Sequence, residues 1–269
     1  IASSLLGIFL IFGMPVVTFI FQNYLSEMHK KKELYGSSFL HHFGRKASIK
    51  DVIESLGVPH PLIGKLTVNG AEVGFDYILR DKDIVEATPL TPPVNPLIAD
   101  ILRPAPLDRI AFVVDVNVGK LAMHLRTLGF DTVYENATRD GKLAGIAYAQ
   151  KRILLTRDVS LLKRKIVMHG YLLRTQDPTR QLIEVVRLYD LSSKIKPLSR
   201  CIPCNGLLVS ISKETILERL EPLTRKYYES FHICEKCKKI YWPGSHQEKI
   251  VAFIQEVLTA VRQNETQDT

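Results

Sequence analysis

The chain has 269 residues, 46% of them hydrophobic, and carries 36 Lys and Arg against 28 Asp and Glu, a net charge of +8. That is length and apolar content for two or three domains with their own cores, which excludes a disordered chain and a small disulfide scaffold. The basic balance favours a polyanionic partner such as nucleic acid, and the four cysteines, all within residues 201–237, point to a metal site in place of a disulfide framework.

The chain opens on an apolar run, Leu5 to Phe12, followed by Gly13-Met14-Pro15 and by Val16 to Phe21. Such a stretch is long enough to suggest a membrane anchor. Pro15 interrupts it, no basic residue precedes it, and its second half is β-branched and aromatic, as in a strand. The expectation is therefore that Met14 is the functional start, that residues 1–13 are an extension outside the fold, and that the protein is cytoplasmic with no membrane partner. An N-terminal signal anchor is the alternative.

Residues 14–90 read as a small α+β domain. Val16–Phe21 is a strand and residues 38–43 a second, with His41 and His42 structural. Ser48-Ile-Lys-Asp places an acid three residues after a hydroxyl cap, so a helix follows, with Val52, Ile53 and Leu56 inward and Gly57 as its stop. Residues 66–73 read as a hairpin turning at Asn69-Gly70, and residues 81–87 supply a last strand. Two strands, a helix and more strands is the order of a ubiquitin-like β-grasp. No catalytic constellation appears there, so a docking or RNA-positioning module is expected, with a possible protein partner. Six prolines between residues 88 and 108 disfavour helix and strand alike, and make residues 91–108 a semi-rigid linker.

Residues 109–195 alternate strand and helix. Residues 109–115 form an apolar run closing on Asp115; a helix follows from Lys120, with Leu121, Leu125 and Leu128 on one stripe and Gly129 as its stop. Residues 130–134 are a second strand, Asp140 opens a helix with Leu143, Ile146 and Ala147 inward, and residues 152–156 are a third strand leading to Arg157-Asp158. A short helix, Gly170, a strand over residues 171–175 and Asp177-Pro178 complete the series. Alternation of this kind implies a parallel sheet covered on both faces, with ligands bound beyond the carboxyl ends of the strands. Asp115 and Asp158 fall at that edge and Asp140 near it. Carboxylates that converge there need a cation, and oxygen ligands favour Mg or Mn.

Residues 196–250 hold Cys201-x-x-Cys204 and Cys234-x-x-Cys237, two knuckles separated by 29 residues. Four thiolates so arranged suit a structural Zn tetrahedron, the spacer holding a hairpin and a helical insert such as residues 214–219. A redox pair would gain nothing from the second knuckle. Residues 251–269 read as a C-terminal helix and tail.

Around the knuckle a resemblance becomes specific. Tyr241-Trp-Pro-Gly-Ser-His246 after Cys237, Arg200 before Cys201, Leu154-Leu-Thr-Arg-Asp158, Asp115-x-x-x-Gly119-Lys-Leu-Ala-x-x-Leu-Arg126 and Gln181-Leu resemble the Mut7-C family. Ile49-Lys-Asp-Val-Ile-Glu-Ser-Leu-Gly-Val-Pro-His60 resembles the ubiquitin-like domain that precedes it in members of this form. The resemblance implies an α/β chain of three parts: an N-terminal β-grasp, a central PIN-like Rossmannoid parallel sheet and a C-terminal zinc ribbon. It implies a metal-dependent ribonuclease in which Asp115, Asp140 and Asp158 match the acidic positions, with Asp177 a fourth. Asn117, where an apolar residue is expected, and His124, where an aromatic such as Trp is usual, depart from the pattern and bear on substrate preference.

The chemistry asks for the same groups. Cleaving a phosphodiester requires an activated water, charge relief on the phosphoryl oxygens and stabilisation of the leaving alkoxide, and divalent ions held by carboxylates do all three. Asp115 and Asp158 are the expected Mg or Mn ligands. Lys120 beside Gly119 at a helix start, Arg126, Arg157, Lys163 and Arg164 are the expected contacts to RNA; for the basic run after Asp158 a solvated helix face is the plain alternative. The rival reading is a non-catalytic RNA- or ribosome-binding protein whose aspartates only cap helices.

Overall fold

Val17, Phe19 and Phe21 alternate with half-buried residues along β1 (Val16–Phe21), the period of a strand covered on one face. The described residues are 14–28 and 38–265 of a computed structural model; the extension expected over residues 1–13 lies outside them. After a single turn, α1 (Tyr24–Glu27), come β2 (Ser38–His42) and α2 (Ile49–Leu56). Ser48 caps α2 by accepting from Asp51 N at 3.2 Å, and Gly57 ends it at φ 115°, a left-handed conformation open to glycine at little cost. Ile49, Val52, Ile53 and Leu56 are its buried face.

β3 (Ile63–Val68) and β4 (Ala71–Glu72) form the hairpin, with Asn69 and Gly70 at φ 52° and 82°, as a two-residue turn between twisted strands requires. With β5 (Ile84–Pro89) they complete a five-stranded sheet in the order β2-β1-β5-β3-β4. β1 and β5 are parallel neighbours, Phe19 facing Val85, and the other pairings are antiparallel. First and last strands side by side, with the helix on one face, is the β-grasp.

The described residues fall into two compact units. The first holds everything up to Thr91 together with Pro96–Leu107 and Asp158–Leu172; the second holds Pro92–Asn95, Asp108–Arg157 and the chain from Leu173 on. The proline-rich stretch is thus shared between the units. Within the first, Leu102 and Leu107 are buried, and Arg103, 6% exposed, donates to Pro61 O and Ile63 O. α5 (Val159–Leu162) and β9 (Gly170–Leu172) also belong there. Val167 is buried and Lys165 O accepts from Lys50 Nζ at 3.2 Å. The strand expected over residues 171–175 is the shorter β9.

In the second unit β6 (Ala111–Val114) lies between β7 (Asp131–Val133) and β8 (Ile153–Thr156), parallel to both; Phe112 faces Thr132 on one side and Ile153 on the other. Every residue of β6 and β8 is buried, as in a sheet covered on both faces. The helices are α3 (Gly119–Thr127), α4 (Asp140–Ala149) and α6 (Pro178–Leu188). The zinc-ribbon segment adds an antiparallel sheet of β10 (Leu208–Ile211), β11 (Phe231–Cys234) and β12 (Ile240–Tyr241). Its insert is α7 (Lys213–Ile216), a 3-10 turn and α8 (Pro222–Tyr227), around a small core of Ile216, Leu220 and Phe231. α9 (Ser245–Glu265) follows, burying Ile250, Ile254, Val257 and Val261, one stripe at helical spacing. Among the described residues no helix is long and apolar enough to cross a membrane.

Candidate functional site

The four cysteines converge. Their ligand atoms all lie within 4.8 Å of one another, with Sγ of Cys201 3.5 Å from that of Cys237 and Sγ of Cys204 3.4 Å from that of Cys234. These separations exceed the roughly 2.05 Å of a disulfide and sit near the roughly 3.8 Å edge of a tetrahedron built on Zn–S bonds of about 2.3 Å. Gly206 shows how closely the cradle is drawn, for a Cβ there would meet Sγ of Cys234 at 2.6 Å and Sγ of Cys204 at 3.4 Å. Burial pushes the Cys201 thiol up to about 12, while the Tyr241 hydroxyl, 3.1 Å from its sulfur, favours the thiolate. A thiol so placed gives up its proton to a cation in exchange. The residues fit a structural zinc, and among the described residues they are the one group of three or more His, Cys, Asp and Glu gathered closely enough to hold an ion.

The acidic residues are arranged differently. Asp115 directly follows β6, is 4% exposed, accepts from Val116 N and from Thr156 Oγ1, each at 2.6 Å, and thereby starts a 3-10 turn that leads into α3. Both donors are neutral, and among the described residues no arginine or lysine pairs with it. Asp158, half-buried and two residues beyond β8, caps α5 through Ser160 N and Ser160 Oγ, both at 2.7 Å. Asp177 caps α6 through Arg180 N at 2.7 Å. Asp140 is the first residue of α4, whose cap is Arg139. Asp115, Asp140 and Asp177, which share the second unit, are not gathered as the cysteines are.

A groove of about 570 Å³ opens where Asp115 gives way to α3. Asn117, Lys120, Met123 and Arg126 line it from the turn and α3, Gln176 and Gln181 from the approach to α6 and its first turn, and Ile202 and Pro203 from the first cysteine knuckle. Of these Lys120 is exposed. Gly119 is required by close approach: the ring of Tyr134 occupies the place a side chain would take.

Of the other expected contacts to RNA, Arg157 and Arg164 are exposed and Lys163 is half-buried, the last two in the first unit. Arg126 is 4% exposed, and its guanidinium donates to Thr132 O at 3.0 Å and to Ile202 O and Pro203 O at 2.9 Å each. His124 is half-buried, with its ring 4.9 Å from that of Phe253 on α9. Burial lowers its pKa against the backbone bond to Pro178.

One group of residues was not anticipated. Asp131, opening β7, is gripped by Arg152 through Nη1–Oδ1 at 2.8 Å and Nη2–Oδ2 at 3.1 Å, and by Arg109 Nη2 at 3.0 Å. Arg200 Nη2 stands 3.7 Å away, and Asn205 Nδ2 donates to Oδ1 at 2.8 Å. Burial alone would raise the Asp131 pKa, but the bonds from Arg152 and Asn205 outweigh it and hold the carboxyl below its ordinary value. The signal was there: an acid opens one strand and an arginine immediately precedes another, Arg152 before β8.

Against family models, residues 110–254, more than half of the chain, match the Mut7-C RNAse domain, and residues 14–95 match the Mut7-C ubiquitin domain. Neither the curated proteins nor the solved structures compared with the chain give a match.

Proposed function

The chain belongs to the Mut7-C family, and from that premise we propose that it is a metal-dependent ribonuclease, hydrolysing RNA phosphodiester bonds at an acidic Mg or Mn site headed by Asp115. One observation carries the reading. Asp115 is a buried carboxyl at the carboxyl end of the middle strand of a parallel sheet, with neutral donors only. Burying a charge without a partner is costly, and a cation offsets that cost. Each carboxylate oxygen accepts more than one contact, so the bonds from Val116 N and Thr156 Oγ1 leave capacity for a metal.

Asp158, which follows an apolar strand in the sequence as Asp115 does, is the second expected ligand; Asp140 and Asp177 complete the acidic set. A divalent ion held there supplies an activated water and charge relief on the phosphoryl oxygens. The chain's own residues do the rest. Thr156 and Val116 N fix the orientation of the Asp115 carboxylate, Lys120 holds the phosphate backbone at the groove, and Arg157, Lys163 and Arg164 are the further expected contacts to RNA. The zinc is structural, and the ubiquitin-like unit is a docking module for a protein partner.

The caps on Asp115, Asp158 and Asp177 favour the other reading, a non-catalytic RNA-binding protein whose aspartates are satisfied by backbone amides. A cleavage assay on mixed RNAs, with Mg or Mn supplied or omitted, separates the two. Cleavage that needs the added ion and disappears in Asp115→Asn supports the nuclease. Undiminished cleavage by the Asp115→Asn, Asp158→Asn double variant rules out this site, and RNA binding with no cleavage under any condition favours the rival.

A further inference from the structure

We propose that Arg126 couples zinc in the cysteine knuckle to occupancy of the groove by an RNA strand, so that each strengthens the other. The identity of the strand rests on the ribonuclease reading; the coupling rests on the contacts of Arg126.

Ile202 and Pro203 are the two residues between Cys201 and Cys204, and their carbonyls accept from the same guanidinium nitrogen, each at 2.9 Å. Both carbonyls face Arg126 only while the knuckle is folded, and the knuckle is folded when its thiolates converge on a metal. The same guanidinium holds Thr132 O at 3.0 Å on the sheet side. A planar fork of donors cannot follow one carbonyl without leaving another. Asn205 makes a second tie, accepting from Thr132 N at 3.0 Å and donating to Asp131 Oδ1 at 2.8 Å. The knuckle is therefore clamped from two sides to α3 and the start of β7.

The groove uses the same parts. Ile202 and Pro203 line it together with Asn117, Lys120 and Met123 of the turn and α3. If zinc leaves and the knuckle opens, the wall goes, and Arg126 becomes a buried cation with Thr132 O alone of its three acceptors, which α3 must shift to solvate. A strand bound against that wall stabilises the closed knuckle. By linkage, the factor by which RNA tightens zinc equals the factor by which zinc tightens RNA. Arg126 is thus a positioning residue, which accounts for a buried arginine in a groove lined by an exposed lysine.

The test uses the full chain with Mg and Mn omitted. Zinc affinity is measured by competition with a chromogenic chelator, with and without a saturating single-stranded RNA oligonucleotide whose binding is followed by fluorescence anisotropy. RNA should tighten zinc about fivefold or more, the lower end of ordinary coupling, and zinc-free protein should bind the RNA more weakly by the same factor. Arg126→Lys, which keeps the charge but loses the fork, should still bind zinc while the two affinities become independent. RNA that binds without changing zinc affinity overturns the coupling, and coupling that survives in Arg126→Lys overturns the part given to that residue. The wild-type measurements decide the coupling even if the variant fails to fold, in which case Asn205→Ala, which removes the second tie alone, should weaken the coupling without abolishing it. An RNA that does not bind at all, with Mg or Mn restored as well as omitted, overturns the ribonuclease reading itself, a result distinct from binding without coupling.

Discussion

Two buried carboxylates stand at opposite ends of neighbouring parallel strands and are treated in opposite ways. Asp131, 9% exposed at the start of β7, is surrounded by Arg109, Arg152 and Arg200. Asp115, 4% exposed just past the end of β6, receives one backbone amide and one hydroxyl. The protein neutralises the first charge with its own cations and only orients the second. Asp131 is thereby a structural tie, whereas Asp115 is held in place without a cation of the protein's own. The difference lies in the partners, since the residue type and the burial are nearly the same.

The largest way to disturb this contrast is through the cysteine cluster that could hold a zinc, because Arg200 and Asn205, two of Asp131's partners, sit on the knuckle. Structural zinc sites bind with apparent free energies of about 10–16 kcal/mol. Cys201→Ser or Cys234→Ser should therefore lose the metal outright and loosen residues 200–245 to protease, with Asp131 losing its contacts from the knuckle. Metal analysis and limited proteolysis read this directly, and wild-type protein purified under reducing conditions without bound zinc would contradict it.

Next comes the structural acid itself. Arg152→Met should destabilise by about 3–5 kcal/mol, the cost of leaving a buried charge without its main partner, measured by denaturant unfolding. Because the Asp131 pKa is depressed in the fold, its contribution is present above the ordinary value of 3.8 and is lost as pH falls below it. Arg152→Met should therefore lose less stability on acidification through that range than wild type does. Equal acid sensitivity would show that Asp131 is not the group responsible.

The same kind of substitution at the other end should behave in reverse. Asp115→Asn keeps an acceptor for Val116 N, so stability should change by only about 1 kcal/mol. Metal-dependent cleavage should fall by about a hundredfold or more, equivalent to roughly 2.7 kcal/mol of barrier. A large loss of stability with cleavage retained would make Asp115 a second Asp131 and end the contrast.

The smallest effect lies outside both carboxylates. Burial lowers the pKa of His60, His124 and His169, against bonds to Glu54, Pro178 and Ala105 respectively. An imidazole kept neutral in the fold contributes stability above the ordinary value of 6.5 and loses it as pH falls below, because the unfolded chain then binds more protons. Melting temperatures at about pH 7.5 and about pH 5.5, on either side of the ordinary imidazole value, should show a lower value in acid, with the same difference in Asp115→Asn.

How far these sites were legible follows from the range of the interactions that make them. The cysteine knuckles are read from spacing because each supplies two ligands within four residues, and Gly206 beside them is local too. Asp115 is read from its place after an apolar run. Asp131 was passed over because its partners lie at Arg109, Arg152, Arg200 and Asn205, up to 74 residues away, and only strand order brings them to one point. Arg126 was read as an RNA contact from its charge and its place in a motif. Its place on the inward side of α3, against carbonyls 76 and 77 residues on, gives it the knuckle to hold.

By itself the sequence determined the elements and their order: the Asn69-Gly70 turn, the Ser48 cap, the alternation of buried strand and helix, and the two cysteine knuckles. Each is set by backbone sterics, capping or periodic burial within a few residues, and such forces act before any distant contact forms. Only the tertiary structure decided which buried carboxyl is paired with arginines and which accepts from neutral donors alone. It also gathered residues 158–172 into the first unit and gave the C-terminal helix α9 a buried stripe of Ile250, Ile254, Val257 and Val261. Neutralising a buried charge requires a partner within a few ångströms in space, and the distance along the chain does not measure that.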